Sequence, residues 1–200
     1  MTQGDRPAGL VYVPDFLTEA EERSVLGLLG DLEYSAVVLR GQAARRVVRH
    51  YGYDYGYESR ALTPTDPLPP ALEPVRARAA GLVGRAPEAF AEVLVTRYPP
   101  GAGIGWHRDA PMFGPEVVGV SLGAAARMRF QRRRGGERET CDVSLAPRSA
   151  YVLAGAARSS WQHSVPPLPA ERYSITFRTV RHPERWTTDP PDEVVSDRIP

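Results

Sequence analysis

The chain has 200 residues, 42% hydrophobic and 24% charged, with a formal net charge of +1; this suits one compact domain with a real core. Its single cysteine, Cys141, excludes an internal disulfide and a thiolate zinc site. No apolar run reaches the roughly 18 residues of a membrane span, and the near-zero charge argues neither for nor against an anionic partner.

The start, residues 1–9, has neither a basic stretch nor an apolar signal run, so a cytoplasmic protein with no membrane partner is expected. Residues 10–13 read as a short strand. Thr18 and Glu21 then form a capping-box pattern that opens a helix to about Leu29. Residues 44–57 interleave Tyr51, Tyr53, Tyr55 and Tyr57 with Arg45, Arg46, Arg49 and His50, and read as hairpins or loops. Strict alternation would place all four tyrosines on one strand face. After a proline-bearing stretch at 63–70, residues 72–83 carry apolar side chains at helical spacing, ending near Gly84.

Beyond Pro87 the pattern changes to short runs rich in β-branched residues, at 93–98, 117–122, 126–132, 140–145, 151–153 and 172–180. Such runs, separated by many of the 20 prolines and 18 glycines, predict a double antiparallel sheet rather than alternating βα units. Residues 183–200 form an acidic, proline-rich tail.

The most informative stretch is 98–109, where His107 and Asp109 are separated by one residue. On an extended backbone positions i and i+2 face the same way, so an imidazole and a carboxylate can converge on a metal. The same pair also fits a plain hydrogen-bonded turn. If a metal is held, a third ligand must come from a distant strand, and with His50 and His182 set aside by their context, His163 is the candidate. Two histidines and one carboxylate make the facial triad that leaves positions open on non-haem Fe(II). The glycines at 101, 103 and 105 do not make a phosphate loop, because no Lys-Ser/Thr pair follows them.

In the run 172–178, Arg172, Ser174, Thr176 and Arg178 share one strand face, and Tyr173, Ile175 and Phe177 share the other. Two inward arginines are costly to desolvate unless an anion pairs with them. Their Cα atoms are roughly 20 Å apart at about 3.3 Å per residue, a gap that two long guanidinium arms can close around a short dicarboxylate. An outward arginine ladder on a solvated sheet is the alternative.

Taken in order, the H-R-D at 107–109, a histidine about 55 residues later and the run RYSITFR closely resemble the AlkB-type Fe(II)- and 2-oxoglutarate-dependent dioxygenases. The likeness extends to Thr96-Arg97-Tyr98, to VVGVSLG at 117–123 and to LAPRSAYVL at 145–153. It implies a mainly β protein with N-terminal helices around a double-stranded β-helix, or jelly roll. One domain would span 1–182, with helices and a substrate-recognition lid in 1–87 and the jelly-roll core in 88–182. It further implies Fe(II) on His107, Asp109 and His163, with dioxygen and 2-oxoglutarate as co-substrates. Arg178 would pair with the 1-carboxylate of 2-oxoglutarate, while Arg172 and Tyr98 would take the distal carboxylate.

Thr96 and Ser174 stand where many members carry asparagine; both keep a hydroxyl that can donate to that carboxylate. Pro111 replaces a second acidic residue common in repair members. The segment 45–57 looks like the family's nucleotide-recognition region, so Tyr53, Tyr55, Arg46 and Arg49 are the expected substrate contacts, with Tyr53 stacking on a base. The resemblance implies oxidation, by demethylation where the carbon is an N-methyl, of an alkylated base in DNA or RNA. A modified tRNA nucleoside, a protein side chain or a non-catalytic cupin-like module are the alternatives.

Overall fold

The computed structural model describes residues 6–39, 41–56, 61–182 and 185, so Tyr57 and, apart from Arg185, the tail 183–200 lie outside the described residues. A seven-stranded sheet contains, in spatial order, β1 (Leu10–Val13), β11 (Ser149–Leu153), β8 (Phe113–Gly123), β13 (Arg172–Val180), β6 (Glu92–Tyr98), β3 (Gln42–Tyr51) and β2 (Ser35–Leu39). A four-stranded sheet has the order β10 (Glu137–Leu145), β9 (Ala126–Arg134), β12 (Gln162–Val165) and β7 (Ile104–His107). A small ribbon pairs β4 (Tyr53–Tyr55) with β5 (Leu62–Pro64), and every strand pair is antiparallel. Two sheets packed this way form the expected jelly roll.

Two apolar layers hold it together, and strand alternation assigns residues to each. Tyr173, Ile175 and Phe177 of β13 join Val93 and Val95 of β6 and Val118 and Val120 of β8 on the outer side of the large sheet. There they pack on α1 (Glu19–Gly30) through Val25 and Leu29, and on α2 (Glu73–Gly81) through Val75 and Ala79. Each large side chain so buried contributes about 1.5–3 kcal/mol. Val117, Tyr151 and Leu153 face the other way and meet Met128, Phe130 and Val143 between the sheets. The four residues Arg172, Ser174, Thr176 and Arg178 point into the same inter-sheet space, the inward orientation the alternation predicts. Because β13 lies at the middle of the large sheet, an outward arginine ladder on solvent is excluded.

Helix α1 begins where the capping chemistry places it. Glu21 N–H donates to Thr18 Oγ1 at 3.2 Å and Thr18 N–H to Glu21 Oε2 at 2.7 Å, closing the capping box of α1. Helix α2 is shorter than its apolar spacing suggests, ending at Gly81, with the chain continuing in turns at Leu82 and Val83.

The tyrosine alternation is corrected by Gly52. Its φ of +77° ends β3, and its N–H donates to Asp66 O at 2.8 Å. A Cβ at this position would sit 2.0 Å from Ala91 O, so only glycine fits. The break sends Tyr51 into the core above the large sheet, whereas Tyr53 and Tyr55 pack around Leu62, Met112 and Phe113. The segment read as hairpins or loops is in fact a ten-residue strand, β3, followed by the short β4.

Candidate active site

A cavity of about 700 Å³ opens between the sheets. Thr96 and Tyr98 of β6 and the inward face of β13 line it from the large sheet, His107, Met128 and His163 from the small sheet, and Arg46, Tyr55 and Trp106 complete the lining. Both histidines come from strands that the apolar runs do not reveal, β7 and β12. These strands pair antiparallel with His163 opposite His107, and the two imidazole centroids are 4.2 Å apart. The glycine-rich lead-in makes this approach possible, since a Cβ on Gly103 would lie 2.6 Å from Val165 O.

His107 closes β7, and Asp109 lies just past it, off the strand. The carboxylate is placed by long-range partners instead. Arg178 donates to Asp109 Oδ1 from Nε at 2.8 Å and from Nη2 at 2.6 Å, and Arg158 fixes the backbone by donating to Asp109 O at 3.1 Å and Ala110 O at 2.9 Å. The other carboxylate oxygen, Oδ2, is 3.8 Å from His163 Nε2. His107 Nδ1 lies 2.8 Å from Gly105 O, which leaves its Nε2 free. His163 Nδ1 is buried without a partner, so no hydrogen bond ties that ring.

Burial pushes His163 down to about 3, helped by His107 and opposed by Asp109. Burial likewise holds His107 below its ordinary value, against Asp109 and the Gly105 carbonyl, with Arg178 and Arg46 adding to the fall. For Asp109 burial alone would raise the pKa, but Arg178, His163 and His107 outweigh it and keep the carboxyl well below the usual range. At neutral pH the three groups are therefore two neutral imidazoles and one carboxylate, the protonation states a metal requires.

These residues fit a cation. One nitrogen of His107 is free while the other faces a carbonyl, and one oxygen of Asp109 is free while the other is held by Arg178; oriented ligands of this kind are what metal sites use. Among the described residues no group of three His, Cys, Asp or Glu side chains is placed, as it stands, to hold a metal ion.

The anion end is equally distinct. Arg172 is only 1% exposed, donates Nε to Ser121 Oγ at 3.1 Å, and lies 5.1 Å from the Tyr98 ring centre. Thr96 and Ser174 stand opposite one another in register, both buried and both lining the cavity. Of the expected substrate residues, Arg46 and Tyr55 line the cavity. Arg49 and Tyr53 do not: Arg49 pairs with Asp66 and lies 5.5 Å from the Tyr51 ring centre, and Tyr53 packs in the small cluster around Leu62.

Glu92 is missed by the reading of the sequence. It is fully buried opposite Arg178 and accepts from Arg178 Nη1 at 3.1 Å, while His50 Nδ1 lies 3.2 Å from its other oxygen. A lone glutamate at the start of a hydrophobic strand is the one signal that could have found it.

The chain belongs to the 2OG-Fe(II) oxygenase superfamily, whose family model matches residues 9–178. That membership brings Fe(II), 2-oxoglutarate and dioxygen as cofactor and co-substrates. Its relatives are AlkB-type proteins. The tRNA (carboxymethyluridine(34)-5-O)-methyltransferase alkbh8 of Xenopus tropicalis is 31% identical over 169 residues, covering 80% of this chain and 26% of that relative. The alkylated DNA repair protein ALKBH8 homolog of Arabidopsis thaliana is 28% identical over 211 residues, covering 88% of this chain and 59% of that relative. The chain thus spans about a quarter to three fifths of these relatives' lengths. Among solved structures, OsALKBH1 superposes with a TM-score of 0.67 at 18% identity, covering 87% of this chain and 97% of the other. A Pseudomonas putida prolyl-4-hydroxylase gives 0.61 at 16% identity, covering 86% and 93%. At these identities both show the fold alone.

Proposed function

We propose that the protein is an Fe(II)- and 2-oxoglutarate-dependent oxygenase that oxidises a C–H bond on a modified nucleic-acid base, releasing formaldehyde where that carbon is an N-methyl. The observation that carries this reading is the convergence of His107, Asp109 and His163 on one wall of a cavity whose floor presents Arg172 and Arg178. In it, His107, Asp109 and His163 hold Fe(II), and Arg178 meets the 1-carboxylate of 2-oxoglutarate. Arg172 and Tyr98 take the distal carboxylate, with the Thr96 and Ser174 hydroxyls as supporting donors. When bound, iron and 2-oxoglutarate together supply the oxidising power, with succinate and carbon dioxide as by-products.

The protein's own residues position and shield. Arg178 keeps Asp109 turned so that one oxygen stays free, and Arg158 pins the backbone under it. Met128 and Phe113 line the chamber and limit water around the metal wall. Tyr55, which lines the cavity and meets Phe113 with ring centroids 5.9 Å apart, is the aromatic residue assigned to stack on an entering base. Arg49 and Tyr53 serve by bracing the ribbon that carries it. Two relatives bear names that refer to tRNA and to DNA repair, which supports a nucleic-acid substrate and leaves both polymers in the test.

The test is aerobic incubation with Fe(II), 2-oxoglutarate and single-stranded DNA or RNA carrying defined N-methylated bases, or bulk tRNA. Succinate release together with a mass change in a nucleic acid is expected. Succinate that never responds to any nucleic acid would overturn the substrate class.

A further inference from the structure

The cavity is lined by Arg46, Arg108, Arg172 and Arg178 against a single carboxylate, Asp109. Glu92, buried behind this lining, is the second carboxylate nearby, and both it and Asp109 are held by Arg178. Of the three arginines buried among the described residues, Arg178 pairs with two carboxylates, Arg172 donates to Ser121 Oγ, and the third is Arg46. It is 6% exposed and lines the cavity from β3, yet no hydrogen bond or ion pair joins it to any carboxylate among the described residues. Asp54, the nearest acid along its own stretch of chain, lies 3.5 Å from His50 Nε2 instead. A guanidinium this buried is costly unless an anion meets it.

Loading the site as described above does not remove the imbalance. A divalent cation and a dicarboxylate cancel in charge, Arg172 and Arg178 each take one end of the dicarboxylate, and Arg46 and Arg108 are left over, of which only Arg46 is buried. It shares the lining of the cavity with Tyr55 and Trp106.

We propose that Arg46 is the substrate's anion receptor: the group presented to the metal wall carries a negatively charged oxygen pair, either a carboxylate on the base or the phosphate of the same nucleotide. This rests on the nucleic-acid reading given above and makes it more specific. A bidentate guanidinium contact inside a partly dry chamber favours a charged substrate over its neutral isostere by tenfold or more.

The experiment uses the full chain loaded with Fe(II) and 2-oxoglutarate without oxygen. Two fluorescent single-stranded oligoribonucleotides serve as probes, one with a central 5-carboxymethyluridine and the other with its neutral methyl ester, and anisotropy gives each Kd. For the wild type, tighter binding of the carboxylate is expected, with Arg46→Gln removing that preference by tenfold or more and Arg46→Lys restoring part of it. If Arg46→Gln weakens both probes equally, the anion is the backbone phosphate, and the receptor role stands. Unchanged binding of both probes by a folded Arg46→Gln overturns the role. So does a loss confined to 2-oxoglutarate affinity, which would assign Arg46 to the co-substrate. A wild type that binds neither probe overturns the nucleic-acid reading itself, and this inference with it.

Discussion

Arg178 grips a single oxygen of Asp109 with two donors, Nε at 2.8 Å and Nη2 at 2.6 Å, while its third nitrogen reaches the buried Glu92 at 3.1 Å. The guanidinium therefore sits between two buried carboxylates and does two jobs, orienting a metal ligand and neutralising the floor. Its removal leaves both carboxylates without a counter-charge. Arg178→Ala should abolish 2-oxoglutarate turnover and also cost about 3–5 kcal/mol of stability. Calorimetry should show a drop in Tm on the order of 10 °C. An unchanged Tm would mean that Asp109 and Glu92 find other partners.

That double role is only half legible in the sequence. Period-two alternation in 172–178 assigns the inward arginines, because a central strand buries both faces and a slip by one residue would exchange them. The His107-x-Asp109 spacing is visible too, although Asp109 lies past the end of β7 and is placed by Arg178 and Arg158 rather than by strand alternation. Glu92 and Arg158 are not, since each acts through a partner more than 45 residues away and local pattern carries no register between strands. Gly52 shows the opposite failure: the tyrosine alternation is real in the sequence, but one left-handed residue required by the approach of Ala91 divides it between two clusters.

The acid response of the metal-free protein follows from His107 and His163. Both are held neutral by burial, His163 down to about 3, so the unfolded chain binds protons on them first. Their stabilising contribution is complete above the unfolded value near 6.5 and is lost as pH falls toward the folded value. Asp109, depressed by Arg178, adds a further loss below about pH 4. Urea midpoints of the apo protein should hold from pH 8 to 7 and fall steadily from 6.5 to 4. A midpoint that rises on acidification would refute the buried neutral imidazoles.

Gly52→Ala tests the link between the ribbon and the floor. The strained φ alone costs about 1–3 kcal/mol, and the clash with Ala91 O displaces the residue next to Glu92. Lower Tm and weaker 2-oxoglutarate binding are expected together. Gly27→Ala in α1, where a Cβ meets nothing within 4 Å, is the control and should be neutral or slightly stabilising.

Thr96→Val keeps the shape of a buried side chain that lines the cavity and removes only the hydroxyl. Losing one hydrogen bond to a carboxylate, about 1.4 kcal/mol, should raise KM for 2-oxoglutarate about tenfold with little change in Tm. An unaltered KM would assign Thr96 to packing.

The most direct measurement is anaerobic calorimetric titration of Fe(II) into the 2-oxoglutarate-loaded wild type and into His107→Ala, Asp109→Ala and His163→Ala. The wild type should bind one ion per chain, and each variant should lose affinity by at least a hundredfold while remaining folded. Wild-type affinity in all three variants would contradict the metal site on which the account rests.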